Sequence, residues 1–340
     1  MKAIVLALLT GHGIVPPLAA FVLAGLLIFM IAATLTRHAD AIADSSGLGR
    51  VWIGVLLLAG STSLPEIMTD STAAAMNLPN LGIGDLFGST LANMSILAVL
   101  VLIYQRRQLL QQAALDHALV GALAIVLTAL AGVFIATGGL GVNVLGMGLD
   151  TLIIIATYLL GMRVVYDLNP QSSPETKTHQ SIASPQLRHH LLHFGLATLG
   201  LLCVAPLLVF SAEALALETG IADSVIGTLL VGLTTSFPEM AAAVMAIRIG
   251  QINLAVGNLY GSNAFNMTVL WFMDIADGRN ALLSQADHNH VLTSALAVTA
   301  MSFGVIAILA RTHKQAWVAR SIALMVLATY GLSVYLLAIK

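Results

Sequence analysis

The strongest constraint on this chain is that part of it occurs twice. Residues 39–94 align with 212–267 at an offset of 173 without a gap, and 21 of the 56 paired positions are identical. The identities reach well beyond Leu and Ala. They include Gly47/Gly220, Gly54/Gly227, Thr62/Thr235, Ser63/Ser236, Pro65/Pro238, Glu66/Glu239, Gly84/Gly257, Gly88/Gly261, Ser89/Ser262 and Asn93/Asn266. Shared apolar composition does not bring polar residues, glycines and prolines into register, so the chain carries an internal duplication.

Composition says where the duplicated unit resides. Of 340 residues 58% are hydrophobic and only 9% charged, against about 25% charged in a soluble domain. The mean hydropathy is +0.94. So few charges cannot cover a soluble protein of this size, and the sequence reads as a multi-pass integral membrane protein whose surroundings are the lipid bilayer. A net charge of −2 argues against a nucleic-acid partner. The single cysteine, Cys203, lies in an apolar run, cannot form an intrachain disulfide, and is expected to be inert packing. The N-terminal run is short and no A-x-A site follows it, so cleavage as a signal peptide is not expected.

A span of the ~30 Å hydrocarbon core takes about 20 apolar residues. Ten stretches meet this, at roughly 14–36, 51–75, 82–104, 115–137, 144–166, 191–217, 224–248, 252–274, 290–310 and 316–338. Residues 167–190 are polar and hold Pro170, Pro174 and Pro185, which makes them a linker between a first half, 1–166, and a second, 191–340. With ten spans, Arg37, Arg50, Arg106, Arg107, Arg163, Lys177, Arg188, Arg248, Arg311, Lys314 and Arg320 share one side, and only Lys2, Arg279 and Lys340 the other. Cytoplasmic loops carry the Lys/Arg excess. The expectation is therefore a cytoplasmic linker, both termini outside, and a bacterial inner (plasma) membrane. Five spans per half is an odd number, so the second copy enters the membrane from the opposite face. The predicted fold class is an all-α membrane protein of ten transmembrane helices in two inverted-topology five-helix repeats, with broken second and seventh helices. In such transporters the site lies near mid-membrane at the repeat interface.

The repeated residues define the chemistry. Glu66 and Glu239 lie near the middle of their spans, where a charge costs at least ~2.5–3.5 kcal/mol and marks function. Pro65 and Pro238 lack an N–H and disrupt the preceding turn, freeing the main-chain oxygens of Ser61 and Thr234. Backbone broken at that depth is tolerated where it lines a cavity or is buried in protein. Thr62, Ser63, Thr235 and Ser236 add hydroxyls. Ser89 and Asn93, like Ser262 and Asn266, are one turn apart and share a helix face. Gly84/Gly88 and Gly257/Gly261 are spaced for close helix approach. Carboxylates, hydroxyls, amides and main-chain oxygens without His or Cys form a hard-cation set, suited to Ca²⁺ or Na⁺ and not to zinc or copper. Asp70, paired with Ala243, and Asp85, paired with Asn258, are possible accessory ligands; the alternative for Asp85 is a helix cap, and for Asp70 a polar contact near the mouth. His189, His190 and His193, and separately His288 and His290, could bind metal or sense pH, although loop histidines are more often simply solvated. No H-E-x-x-H or G-x-S-x-G motif is present, and neither an enzyme nor a cofactor is expected.

The segments GSTSLPE with GDLFGSTLAN, and GLTTSFPE with GNLYGSNAFN, resemble the two alpha-repeats of the sodium/calcium exchanger family of the cation/Ca²⁺ antiporter superfamily. The resemblance implies an antiporter in which Ca²⁺ and a counter-ion bind in turn by alternating access, with the first and sixth helices sliding as the gate. It implies Glu66 and Glu239 as central ligands beside Thr62, Ser63, Thr235 and Ser236. The main-chain oxygens of Ala59 and Gly232, with Ser89 and Ser262, would serve flanking Na⁺ sites, completed by Asn93 and Asn266. Sodium-coupled members carry an aspartate where this chain has Asn266, while the G-N-A-x-E motif of proton-coupled relatives is lacking. Na⁺ is therefore the favoured counter-ion; exchange of Ca²⁺ or another divalent cation for H⁺ is the alternative, and a cation channel on the same fold a third. Stoichiometry and oligomeric state are open at this point.

Overall fold

The computed structural model describes residues 2–11, 13–46, 50–104, 115–144, 146–168, 185–219, 234–278, 281–310 and 316–338. Within them the chain is almost entirely helical. α1 is Lys2–Leu9 and α2 Val15–Ser46. α3, Arg50–Thr62, winds as a π-helix over Ile53–Leu58. α4 is Leu64–Ala75, α5 Pro79–Tyr104 and α6 Leu115–Ala136. A small hairpin of β1 (Asn143–Val144) and β2 (Met147–Gly148) leads into α7, Leu149–Asp167. α8 is Pro185–Glu218, α9 Phe237–Arg248, α10 Ile252–Asp277, α11 Asn289–Leu309 and α12 Ala316–Ala338. The helix that starts at Pro185 takes in the end of the stretch assigned to the linker by composition.

Among the described residues seven helices are long and apolar enough to cross a membrane, or eight if the bent pair α3 and α4 is one span. The sequence-based count of ten included the stretch 224–248, of which 224–233 lies outside the described residues. It also included α10, which is 26 residues long but carries Asn253, Asn258, Asn263 and Asn266, and these lower its apolarity. This polar helix is the core of the molecule. It is buried along nearly its whole length and packs against α3, α4, α5, α6, α7 and α9.

The duplication extends to helix boundaries. α4 and α9 begin and end 173 residues apart, and so do α5 and α10. The turn between them is also copied. Asn77 and its repeat mate Gly250 both adopt positive φ, 65° and 82°. In each copy the next N–H reaches back five residues, Leu78 to Ala73 O at 2.9 Å and Gln251 to Ala246 O at 2.8 Å. This is the left-handed helix stop that Gly, and less often Asn, accepts. Close approach of α3 to α10 needs glycine too. A Cβ on Gly54 would meet Leu254 O at 3.1 Å, and one on Gly261 would meet Val55 Cα at 2.8 Å. The expected parallel role of Gly88 is not seen: a Cβ there meets nothing within 4 Å, and the repeat mates of the π-helical segment, 226–231, lie outside the described residues.

Polar anchors fix the far end of α10. Buried Asp274 accepts hydrogen bonds from Gly148 N (2.5 Å), Thr151 Oγ1 (2.6 Å) and Leu282 N (2.9 Å), tying the hairpin and a short 3₁₀ turn to the core helix. On the other flank α2 and α8 lie against each other over much of their lengths. Asp40, near the end of α2, accepts from Arg50 Nε at 2.6 Å and Gln251 Nε2 at 3.2 Å. His189, His190 and His193 do not stand alone in solvent. They gather around His38 of α2, with His38 Nδ1 2.9 Å from His190 Nδ1. They are not a metal centre, since among the described residues no group of three or more His, Cys, Asp or Glu is arranged to hold a metal ion. Cys203 is exposed on α8 and not packed as expected, because the apolar face it occupies points away from the protein.

Candidate functional site

The site begins where α3 stops. Pro65 has no N–H to offer Ser61, so the helical ladder is interrupted; Ser63 takes φ −88°, ψ 2°, and the axis turns by 43° before α4. Its repeat mate Ser236 takes φ −83°, ψ 5° ahead of Pro238 and α9. The same dipeptide thus starts a new helix twice, and each new helix carries its glutamate in the first turn. The π-helical stretch just upstream is the kind of local winding change often found at functional sites.

Glu66 is 1% exposed and Glu239 0%. Glu239 is held: its Oε1 accepts from Ser63 Oγ at 3.2 Å and Ser262 Oγ at 3.4 Å. Glu66 is not. Neither of its carboxylate oxygens has a hydrogen-bond partner among the described residues, nor does Glu239 Oε2. The carboxylates of Glu239, Asp85 and Asp70 all lie close enough to repel that of Glu66. Leaving a buried carboxylate charged and unpaired among like charges is strongly unfavourable, so it must be neutralised by a proton or a bound cation.

Of the remaining expected ligands, some bond to Glu239 and some to one another. Thr62, Ser63, Thr235, Ser236, Ser89, Ser262, Asn93 and Asn266 are all buried. Thr62 Oγ1 donates to Ala59 O at 3.1 Å and to Asn258 Oδ1 at 3.2 Å. The Ala59 carbonyl also accepts from Ser63 N at 2.9 Å, so it is already engaged; Gly232 lies outside the described residues. Ser89 Oγ is 3.3 Å from Thr235 Oγ1, which donates to Asp85 Oδ1 at 3.1 Å. Asn93 Nδ2 donates to Asn263 Oδ1 at 3.0 Å. Ser236 Oγ and both amide atoms of Asn266 have no partner among the described residues. By contrast, several nearby hydroxyls serve their own helices: Thr69, Thr72, Thr90 and Ser95 each donate to the carbonyl four residues back.

Asp85 does not cap a helix. α5 starts six residues earlier, at Pro79, so Asp85 projects from the helix body. Asp70 is 1% exposed, and its carboxyl lies close enough to that of Asp85 for the two to interact electrostatically. Two buried carboxylates so placed favour a positive charge beside them, a proton or a cation. Asn258 and Asn263 are site residues that the motif reading passed over. Asn258 joins Thr62 to the main-chain oxygen of Glu239; its place as the repeat mate of Asp85 was the available signal.

The sequence pattern of the family described as "Sodium/calcium exchanger protein" matches residues 16–167 and 189–339. The chain belongs to the sodium/calcium exchanger family. Within this exchanger family it is 29% identical over 259 residues to the candidate antiporter CaxA of Alkalimonas amylolytica, covering 73% of this chain and 76% of that one. It is 25% identical over 256 residues to the inner membrane protein YrbG of Escherichia coli, covering 74% and 77%. A shorter stretch of 62 residues is 45% identical to the sodium/calcium exchanger MaX1 of Methanosarcina acetivorans, covering 18% and 17%. The fold is that of solved structures of the sodium–calcium exchanger NCX_Mj. One of them superposes with a TM-score of 0.69 at 21% identity over 95% of this chain and 99% of that one. The exchanger is accordingly a multi-pass integral membrane protein.

Proposed function

We propose that this exchanger is a secondary active antiporter that moves Ca²⁺ against a monovalent cation, Na⁺ in preference, by alternating access. The observation that carries the reading is the pair Glu66 and Glu239, brought together from two copies of the same broken helix, with the oxygens of Glu66 buried and unpartnered. Two carboxylates balance one Ca²⁺, two Na⁺ or two H⁺, so one site can hold either cargo but not both at once. Thr62, Ser63, Thr235, Ser236, Ser89, Ser262, Asn93 and Asn266 surround it with oxygen ligands, the set a hard cation prefers. The relatives named as exchangers and antiporters point the same way.

Ten spans in two inverted five-helix halves fit this function. An odd number of spans per half places the two broken helices in opposite senses, so each opens the site to one side of the membrane. The basic-residue distribution puts the 167–190 linker in the cytoplasm and both termini outside, in a bacterial inner membrane.

The test is Ca²⁺ uptake into proteoliposomes under an imposed Na⁺ or H⁺ gradient. Na⁺-driven uptake that is lost in Glu66→Gln and in Glu239→Gln is expected. Uptake that survives both substitutions refutes the site. Uptake driven by H⁺ and indifferent to Na⁺ replaces the sodium reading with Ca²⁺/H⁺ exchange, and flux needing no counter-ion gradient replaces antiport with a channel.

A further inference from the structure

The repeat runs on past its motifs. At the same offset of 173, His117 pairs with His290, Leu119 with Leu292, Ala122 with Ala295, Leu123 with Leu296 and Ala124 with Ala297. His117 lies in the first turn of α6 and His290 in the first turn of α11. Their places in the fold match as well. A Cβ on Gly257 would stand 3.2 Å from Cε1 of His117, and one on Gly84 would stand 3.3 Å from Cε1 of His290. Gly84 and Gly257 are themselves repeat mates. Each histidine therefore lies against the glycine of the opposite half, in space that a residue without a side chain leaves open.

The asparagine one turn before each glycine ties the same segments together. Asn253 Oδ1 is 3.2 Å from His117 Nε2. Its mate Asn80 accepts through Oδ1 from Asp287 N at 2.7 Å, three residues ahead of His290. Residues four apart share a helix face, so the start of α10 is clasped by α6, and the start of α5 by the segment that opens α11. The residue after each glycine reaches the ion centre. Asn258 accepts from Thr62 Oγ1 at 3.2 Å and donates to the main-chain oxygen of Glu239 at 3.2 Å. Asp85 Oδ1 accepts from Thr235 Oγ1 at 3.1 Å. His117 is fully buried, and its Nδ1 has no partner among the described residues. An apolar side chain would fill that place without leaving a buried nitrogen unsatisfied, yet the imidazole is present in both copies.

We propose that His117 and His290 are positioning residues for the central cation site: each holds the first turns of the other half's helix, α10 or α5, and through Asn258 or Asp85 sets the place of Thr62 or Thr235. The role rests on the reading of Glu66 and Glu239 as the centre. Neither histidine touches the ion; both act through the turn that carries the bracing residue.

The test uses the purified full chain in proteoliposomes and follows Ca²⁺/Ca²⁺ exchange against Ca²⁺ concentration. His290→Ala and His117→Leu should each raise the half-saturating Ca²⁺ concentration by about tenfold and change the maximal rate much less. His117→Gln, which keeps a donor for Asn253, should recover most of the loss. The methyl group of Gly84→Ala meets only His290 within 4 Å. Gly84→Ala should therefore shift the Ca²⁺ dependence in the same direction in wild type and add nothing to His290→Ala. Melting in Ca²⁺-free detergent checks folding; Gly84→Ala, which introduces a good helix former, reads the same shift should a histidine variant not fold. A fall in maximal rate alone, additive effects of Gly84→Ala and His290→Ala, or an unchanged Ca²⁺ dependence in Gly84→Ala overturns the positioning role. Any of these leaves Glu66→Gln and Glu239→Gln inactive, whereas exchange that persists in those two overturns the centre itself.

Discussion

At the scale of single residues the two glutamates are chemically alike and structurally unequal. Glu239 has two hydroxyl donors and Glu66 none. Removing an uncompensated buried charge relieves the fold. In Ca²⁺-free detergent, Glu66→Gln is expected to melt above wild type, and Glu239→Gln to gain less. Ligand linkage then reverses the order: at one hundred times Kd, Ca²⁺ should stabilise wild type by about 2.7 kcal/mol and Glu66→Gln by almost nothing. A differential scanning measurement with and without Ca²⁺ reads both. The glutamates were legible from the sequence because a charge in an apolar span is too costly to keep twice unless both copies are used. The difference between them was not, since it depends on which serine reaches across the interface. Asp85 illustrates the same limit: the sequence left it between cap and ligand, and only the start of α5 at Pro79 removed the cap.

At the scale of elements the repeat sets helix boundaries to the residue, and its consequences can be tested in pairs. Gly261 packs on the backbone of Val55, while its mate Gly88 has open space around it. Gly261→Ala should cost about 1–3 kcal/mol through overpacking and lower the melting temperature, whereas Gly88→Ala should leave it within the ~0.5 kcal/mol of a neutral substitution. Pro65→Ala restores an N–H facing the Ser61 carbonyl. Continuous helix is then available across the bend, and Ca²⁺ uptake is expected to fall by about tenfold or more without loss of stability, since proline inside a helix costs ~3 kcal/mol. Uptake per folded protein, compared with the melting curve, checks this. The break at Pro65 was visible in the sequence as a proline, and the stop at Met76–Leu78 only as the gap between the spans 51–75 and 82–104. The π-helical winding of Ile53–Leu58 was not, because nothing in IGVLLL distinguishes it from an ordinary apolar helix; it lies where Gly54 and Val55 come close to Leu254, Gly257 and Gly261 of α10.

At the scale of the whole molecule, topology is the open variable and has its own measurement. In a Cys203→Ala background, Thr176→Cys in the linker is expected to react with a membrane-impermeant maleimide in inside-out vesicles and not in intact cells. Labelling from outside would reverse the assigned orientation. The helical, apolar character of the chain and its two related halves were evident from composition and from the 173-residue offset. What those cues could not supply was the place of α10 at the centre, because a helix surrounded by protein need not resemble one that faces lipid.

That placement bears on how the chain enters the membrane at all. A segment with four asparagines gains little by partitioning alone into hydrocarbon. Its residence there depends on neighbours that are already in place to receive it, chiefly α3, α4 and α6 from the first half. Biogenesis of this exchanger is therefore not a sequence of independent insertions. The first half acts as the receptor for the second, and a chain synthesised without it would strand this asparagine-bearing helix at the water interface.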